Sequence, residues 1–178
     1  MKTQTFEIIA SQSNIGWIGR KVTGSHNGTI NIKSGSLKLE DNNIVSGQVV
    51  VDTTSIKILD VTDPATNAQF AGHLASDDFF ASEQHPEAFF KIILVKGRHV
   101  EGDLTIKGIT HPVSFDAQMS LSGSMLNATG RIIIDRTLYD MKFRSGNFFT
   151  NLGDTLIYND FELNVSITAI VIAKPVLI

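Results

Sequence analysis

From residue 160 the chain alternates apolar and polar positions. Phe161, Leu163, Val165, Ile167 and Ala169 fall on one side, and Glu162, Asn164, Ser166 and Thr168 on the other. A period of two marks a strand with one buried face. The same alternation recurs over 29–32, 37–40, 45–52, 89–96, 100–107, 112–119 and 128–135. Between these runs lie turn formers: Asp41-Asn42-Asn43, Lys96-Gly97-Arg98 and the stretch 121–127. Strands joined by turns at hairpin spacing predict an antiparallel meander.

One segment breaks the rhythm. Asp63-Pro64 reads as an N-cap followed by proline at the first helical position. Ala65, Phe70 and Leu74 then recur at helical spacing, and the helix is expected to end within 72–75. Ser76-Asp77-Asp78-Phe79-Phe80 reads as a second short helical turn. The sequence thus predicts a mainly β protein with one helical insertion at about 63–80, placed before a strand starting near Ala88.

Residues 160–172 would span about 40 Å as a strand, so the sheet is deep and its apolar face must be covered. A two-sheet sandwich and a closed barrel both achieve that. Eight strands make a barrel just wide enough to be filled by side chains or to hold one slim ligand. A deep apolar tube suits an extended lipid better than a compact metabolite. Strand parity turns Ile30, Ile32, Val49, Val51, Phe90, Ile92, Leu104, Ile106, Val113, Phe115, Ile132, Ile134, Phe161, Leu163, Val165 and Ile167 inward, with Trp17 as a rim residue. Parity identifies the buried face and is silent on whether it surrounds a void.

Composition narrows the function. At 178 residues the chain is of single-domain length, so residues 1–178 are read as one domain. Lys plus Arg number 15 against 18 Asp plus Glu, with no basic run, which argues against a nucleic-acid partner. Cysteine is absent, which removes disulfides and thiolate chemistry. No stretch approaches the roughly 20 apolar residues of a membrane helix. Met1-Lys2-Thr3-Gln4-Thr5-Phe6 lacks the apolar core of a secretory leader. As written the chain is expected in the cytoplasm, or in the periplasm if a leader has been removed.

Catalytic patterns are lacking: there is no G-x-S-x-G, G-x-G-x-x-G, P-loop or H-E-x-x-H. His26, His73, His85, His99 and His111 show no metal-ligand spacing, so neither a metal nor a catalytic residue is assigned. His111, beside Pro112, reads as a solvent-facing turn residue. Asp77-Asp78 is accounted for by helix capping. Arg131, Arg136, Lys142 and Arg144 gather around Tyr139. They read as surface charge, or as the cations a lipid diphosphate would need at a tube mouth.

Three segments are similar to the YceI-like family of lipocalin-like lipid-binding proteins. One is Gly72-His73-Leu74-Ala75-Ser76-Asp77-Asp78-Phe79-Phe80 followed by His85-Pro86-Glu87-Ala88-Phe89-Phe90. The second, Glu101-Gly102-Asp103-Leu104-Thr105-Ile106-Lys107-Gly108-Ile109-Thr110-His111-Pro112-Val113, resembles the family's G-x-L-T-[IL]-x-G-[VI]-T hairpin. The third is the late strand and turn at 130–139, before the long terminal strand. Asp52-Thr53-Thr54-Ser55-Ile56 adds a weaker match. The resemblance implies an eight-stranded antiparallel barrel whose elongated cavity binds polyisoprenoids or other long amphiphiles, often in a homodimer. The chain departs from the family at Phe70-Ala71-Gly72, where members commonly carry Arg-Asp, and at Ser13-Asn14, where many carry His-Ser. His73 has two readings: a polar group at the cavity mouth, or a helix-terminal residue pairing with carbonyls.

The expected function is therefore non-catalytic carriage or storage of a long-chain isoprenoid or fatty amphiphile, with no cofactor beyond that bound ligand. The alternatives are a solidly packed structural or stress-response module acting through a dimer face, and an enzyme acting on a hydrophobic substrate.

Overall fold

The computed structural model describes residues 2–172; residue 1 and residues 173–178 of the expected domain lie outside them. The strands are β1 (Thr3–Ile8), β2 (Asn14–Lys21), β3 (Gly24–Glu40), β4 (Asn43–Ile58), β5 (Glu87–Lys96), β6 (His99–Ile106), β7 (Ile109–Ser122), β8 (Met125–Asp135) and β9 (Ile157–Val171). One α-helix, α1 (Pro64–Leu74), sits between β4 and β5. Every pairing is antiparallel, and β2 through β9 run as an up-and-down meander that closes where β2 meets β9.

Nine strands fill eight positions of a closed barrel. β2 pairs with the first half of β3, from Ile15 opposite Ile30 to Lys21 opposite Gly24. β1 pairs with the second half, from Thr3 opposite Glu40 to Glu7 opposite Ser36. Both also pair with β9. They are one strand position interrupted by a short 3-10 turn at Ala10–Gln12. The eight-stranded lipocalin-like barrel expected from the resemblance is the fold observed.

Local sequence explains the turns. Asp41 and Asn42 both adopt positive φ (51° and 68°), the geometry of a primed hairpin turn that Asp and Asn tolerate. Lys107 and Gly108 repeat it at 56° and 74°, so the expected strand 100–107 ends one residue earlier. The segments 29–32 and 37–40 are not separate strands. Register shifts near Thr29–Asn31 and Ile32–Ser34 carry β3 through them without a break. Such bulges bend a strand while keeping it paired, which conceals continuity from a simple alternation. Residues 76–80 form turns rather than helix, with Phe79 N donating to Ser76 O at 3.0 Å. His111 lies within β7, opposite Leu104, and shares its inward face, edge-on to Tyr139 at 5.4 Å. The solvent-facing reading fails because Pro112 takes an outward, exposed position on β7 instead of starting a turn.

The interior differs between the barrel's ends. The end closed by the 41–42, 97–98 and 123–124 turns is packed solid by Phe6, Leu37, Leu39 and Leu126, with Ala169 and Ile32. The opposite end carries every long connection: α1 with the turns after it, and the segment linking β8 to β9. Phe79, Leu104, Ile106, Ile134, Tyr139 and Met141 pack along one wall there.

Candidate ligand-binding cavity

The long-connection end encloses a cavity of about 490 Å³, within the roughly 300–1,000 Å³ of sites that hold small molecules. Ile15, Trp17 and Gly19 of β2 form one side, with His26 and Ile30 of β3 and Val51 and Ile56 of β4 beside them. Phe161 and Leu163 come from β9, Leu104 and Ile106 from β6, and Ala88 from β5. Phe70, His73 and Leu74 of α1 cover it, and Met141, Phe143, Arg144, Asp154 and Thr155 close it from the β8–β9 connection.

The cover is held by few contacts. Asp63 caps α1, accepting from Thr66 N at 2.9 Å and Thr66 Oγ1 at 2.6 Å, which keeps the Asp63 carboxyl below its ordinary pKa. No residue of α1 is buried. Asn67 Nδ2 donates to Ile58 O and Val61 O, tying the helix to the end of β4. Phe70 stacks on Trp17, with centroids 6.5 Å apart and planes at 12°, and meets the His26 ring edge-on at 4.8 Å. His26 is fixed by Asp60, whose Oδ2 lies 2.8 Å from Nδ1. His73 faces the cavity, set edge-on to Phe79 and Phe143, and its Nε2 lies 2.9 Å from Asp78 Oδ2. Its ring partner is thus a carboxylate and not a helix carbonyl.

Of the residues turned inward by parity, Ile30, Val51, Leu104, Ile106, Phe161 and Leu163 border the cavity, as do Trp17 and His73. Ile32 and Val49 lie in the packed cluster at the closed end, with Ile92, Phe90 and Ile167 against it. Val165 packs against both clusters, and Ile132, Ile134, Val113 and Phe115 belong to the wall behind Leu104. Phe90 covers Gly102 across β5 and β6, where a Cβ would meet its ring. Met141, Phe143, Asp154 and Thr155 line the cavity from irregular segments, where no periodicity could mark them.

Of the cations with two readings, surface charge or tube mouth, Arg136 is the one that is buried. It is 3% exposed and borders the cavity. Nε donates to Tyr158 O at 3.0 Å, Nη1 to Met141 O at 2.5 Å and Nη2 to Ile157 O at 3.0 Å. Burial lowers its pKa from the ordinary guanidinium value, and the nearby Asp135 charge opposes that shift. Arg131 behaves differently. It lies on the outer surface, where Nε donates to Glu162 Oε1 at 2.7 Å and Nη2 donates to the same oxygen.

A YceI-like domain matches residues 6–169. The chain belongs to the YceI-like family. A UPF0312 protein of Vibrio parahaemolyticus is 34% identical over 104 residues, covering 54% of this chain and 51% of that protein. One from Staphylococcus epidermidis is 34% identical over 103 residues, covering 52% and 60%. The chain thus spans between half and three-fifths of the length of these relatives. Among solved structures, BcnA of Burkholderia cenocepacia superposes with a TM-score of 0.70 at 18% identity, covering 90% of this chain and 98% of that one. A polyisoprenoid binding domain from Saccharophagus degradans, implicated in plant cell wall breakdown, gives 0.66 at 12% identity, covering 94% and 98%. At such identities the likeness is one of fold. Among the described residues, no helix of this family member is long and apolar enough to cross a membrane.

Proposed function

We propose that the chain binds the hydrocarbon tail of a long-chain isoprenoid or fatty amphiphile in this cavity, and carries or stores it without altering it. The observation that carries the reading is the hollow itself: apolar walls on six strands, covered by a helix that buries none of its own residues. Family membership supports it, as does the fold shared with a domain described as polyisoprenoid binding. Transfer of each methylene from water contributes about 0.8 kcal/mol, so affinity needs few polar contacts. A methylene takes up nearly the room of a water molecule, whose liquid share is about 30 Å³. The hollow therefore suits a tail on the order of sixteen carbons.

The two imidazoles on the wall favour binding over catalysis. His26 and His73 each face a carboxylate, and among the described residues no hydroxyl is hydrogen-bonded to either ring. A nucleophile–base pair of the usual kind requires that contact.

Trp17 is the only tryptophan and lines the hollow, which makes it a reporter. Organic extraction of the purified protein with mass spectrometry should yield a long-chain lipid near one per chain. Failing a resident lipid, titration with geranylgeraniol should change Trp17 fluorescence saturably at one per chain. No extracted lipid together with no response to titration would overturn the reading.

A further inference from the structure

We infer that the cavity selects amphiphiles with an oxyanion head, carboxylate or phosphate, and seats that head on Arg136. This rests on the lipid-binding reading above and names the ligand class it leaves open.

Three backbone carbonyls take three of the five N–H groups of Arg136. One N–H on each terminal nitrogen is left without a protein acceptor among the described residues. The charge also has no carboxylate in direct contact. No ion pair of the described residues includes Arg136, although it is almost wholly buried. Asp135, its neighbour in sequence, is occupied by Thr137, whose N and Oγ1 donate to Oδ1 at 3.0 and 2.6 Å. The chain therefore gives its exposed Arg131 a directly bonded carboxylate, while its buried Arg136 has three carbonyl dipoles, the Phe79 ring 6.0 Å from Cζ and the charge of Asp135 nearby but not bonded to it.

Buried charges are ordinarily paired, because desolvation is otherwise uncompensated. Arg136 borders the cavity, so an anion inside it supplies the missing partner. A guanidinium fork with free N–H groups fits the two oxygens of a carboxylate or phosphate. The carbonyls of Met141, Ile157 and Tyr158 fix the fork before any ligand arrives, which reduces the ordering cost of binding. Arg144, also on the wall, lies over Phe143 at 4.9 Å, and with Arg20 and Lys21 it outweighs Asp154 and Asp160 in the lining, which is net positive. The head then rests at the β8–β9 connection while the tail runs toward Ile30 and Leu163.

Hexadecanoate, hexadecyl phosphate and hexadecanol, titrated separately against the native protein at pH 7.5 with Trp17 fluorescence as readout, test this with one tail and three heads. At least one anion should bind tenfold or more tighter than the alcohol, and the tighter of the two identifies the oxyanion. In Arg136→Gln that preference should fall to about twofold or less, while Arg144→Gln should keep most of it. Equal binding of all three by the native protein would overturn the oxyanion seat and leave the lipid-binding reading standing. Loss of preference in Arg144→Gln alone would move the seat off Arg136 and overturn the assignment. No binding of any of the three, with none of geranylgeraniol, would sink both readings. If Arg136→Gln does not fold, the comparison of heads in the native protein still decides whether the oxyanion is selected.

Discussion

The indole of Trp17 lies across Gly28, its register partner on β3, so closely that a Cβ at residue 28 would stand 2.6 Å from Cζ2 of the ring. The same Cβ would run into the Lys57 carbonyl oxygen. Only glycine lets β2, β3 and β4 approach here with the indole flat against the wall and its Nε1 donating to Thr29 O at 3.3 Å. Gly28→Ala should destabilise the protein by about 1–3 kcal/mol through overpacking, read as a lowered urea midpoint. Trp17 emission should shift in the folded state. An unchanged midpoint and spectrum would show that the wall has slack.

Ala88 stands on β5 opposite Val51, and both border the hollow. Ala88→Phe should fill part of it with a ring, lowering affinity for a sixteen-carbon ligand at least tenfold. Because the ring enters existing space, thermal stability should change by only a few degrees. Undiminished binding in a folded variant would place the ligand elsewhere.

Phe70 is the aromatic contact between α1 and Trp17. Phe70→Ala should speed both uptake and release of a bound tail severalfold in stopped-flow fluorescence. Its cost to stability should be about 1 kcal/mol, smaller than for a core aromatic, since the ring is only half-buried. Unchanged rates would mean that ligands enter past another edge.

These variants separate what the chain's pattern discloses from what it conceals. The run Phe161 to Ala169 identifies β9 and its inward side, and Asp63-Pro64 identifies the start of α1, because strand period and helix capping are local properties. Inward parity is identical for Leu163, which borders the hollow, and Ile167, which packs away from it. That difference is decided across the barrel by large residues such as Phe6 and Leu39, and no local window contains it. Sequence leaves Arg136 open between surface charge and tube mouth because its burial depends on how 141 and 157–158 fold back over it. β1 and β2 do not stand out as strands in the sequence, for a glycine-interrupted β2 and a short β1 offer little alternation.

Glu162 sits on the outer face, 6% exposed, accepting from Arg131 and from Asn164 Nδ2 at 3.1 Å. The hydrogen bonds from Arg131 and Asn164, with the charges of Arg131 and Arg20, hold its carboxyl below the ordinary glutamate pKa. A depressed folded value means stability that is present above the unfolded pKa, about 4.3, and lost as pH falls through the folded one. Melting temperatures of wild type and Glu162→Gln should therefore differ most near neutrality and converge on acidification. A gap independent of pH would show that the carboxylate's charge contributes nothing.

Tyr139 is 1% exposed, and its hydroxyl has no hydrogen-bond partner. Burial pushes its pKa up to about 12. Stability should thus hold below about pH 10, the unfolded value, and decline as pH rises toward 12. Tyr139→Phe removes both the stranded hydroxyl and this alkaline loss. It should be neutral to stabilising by about 1 kcal/mol at pH 7, and the late phenolate absorbance at 295 nm should vanish. A loss of several kcal/mol would mean that the hydroxyl is bonded after all.

The solid half of the barrel gives the hollow half a floor. Anything threaded in from the loop end meets Ile15 and Ile30 and, behind them, the stacked side chains around Leu39 and Phe6. A tail can therefore descend to one fixed depth. On the proposed reading, a head moored at Arg136 makes this floor a gauge of chain length: short tails would leave a gap at the bottom, and overlong ones would buckle or protrude past the helix.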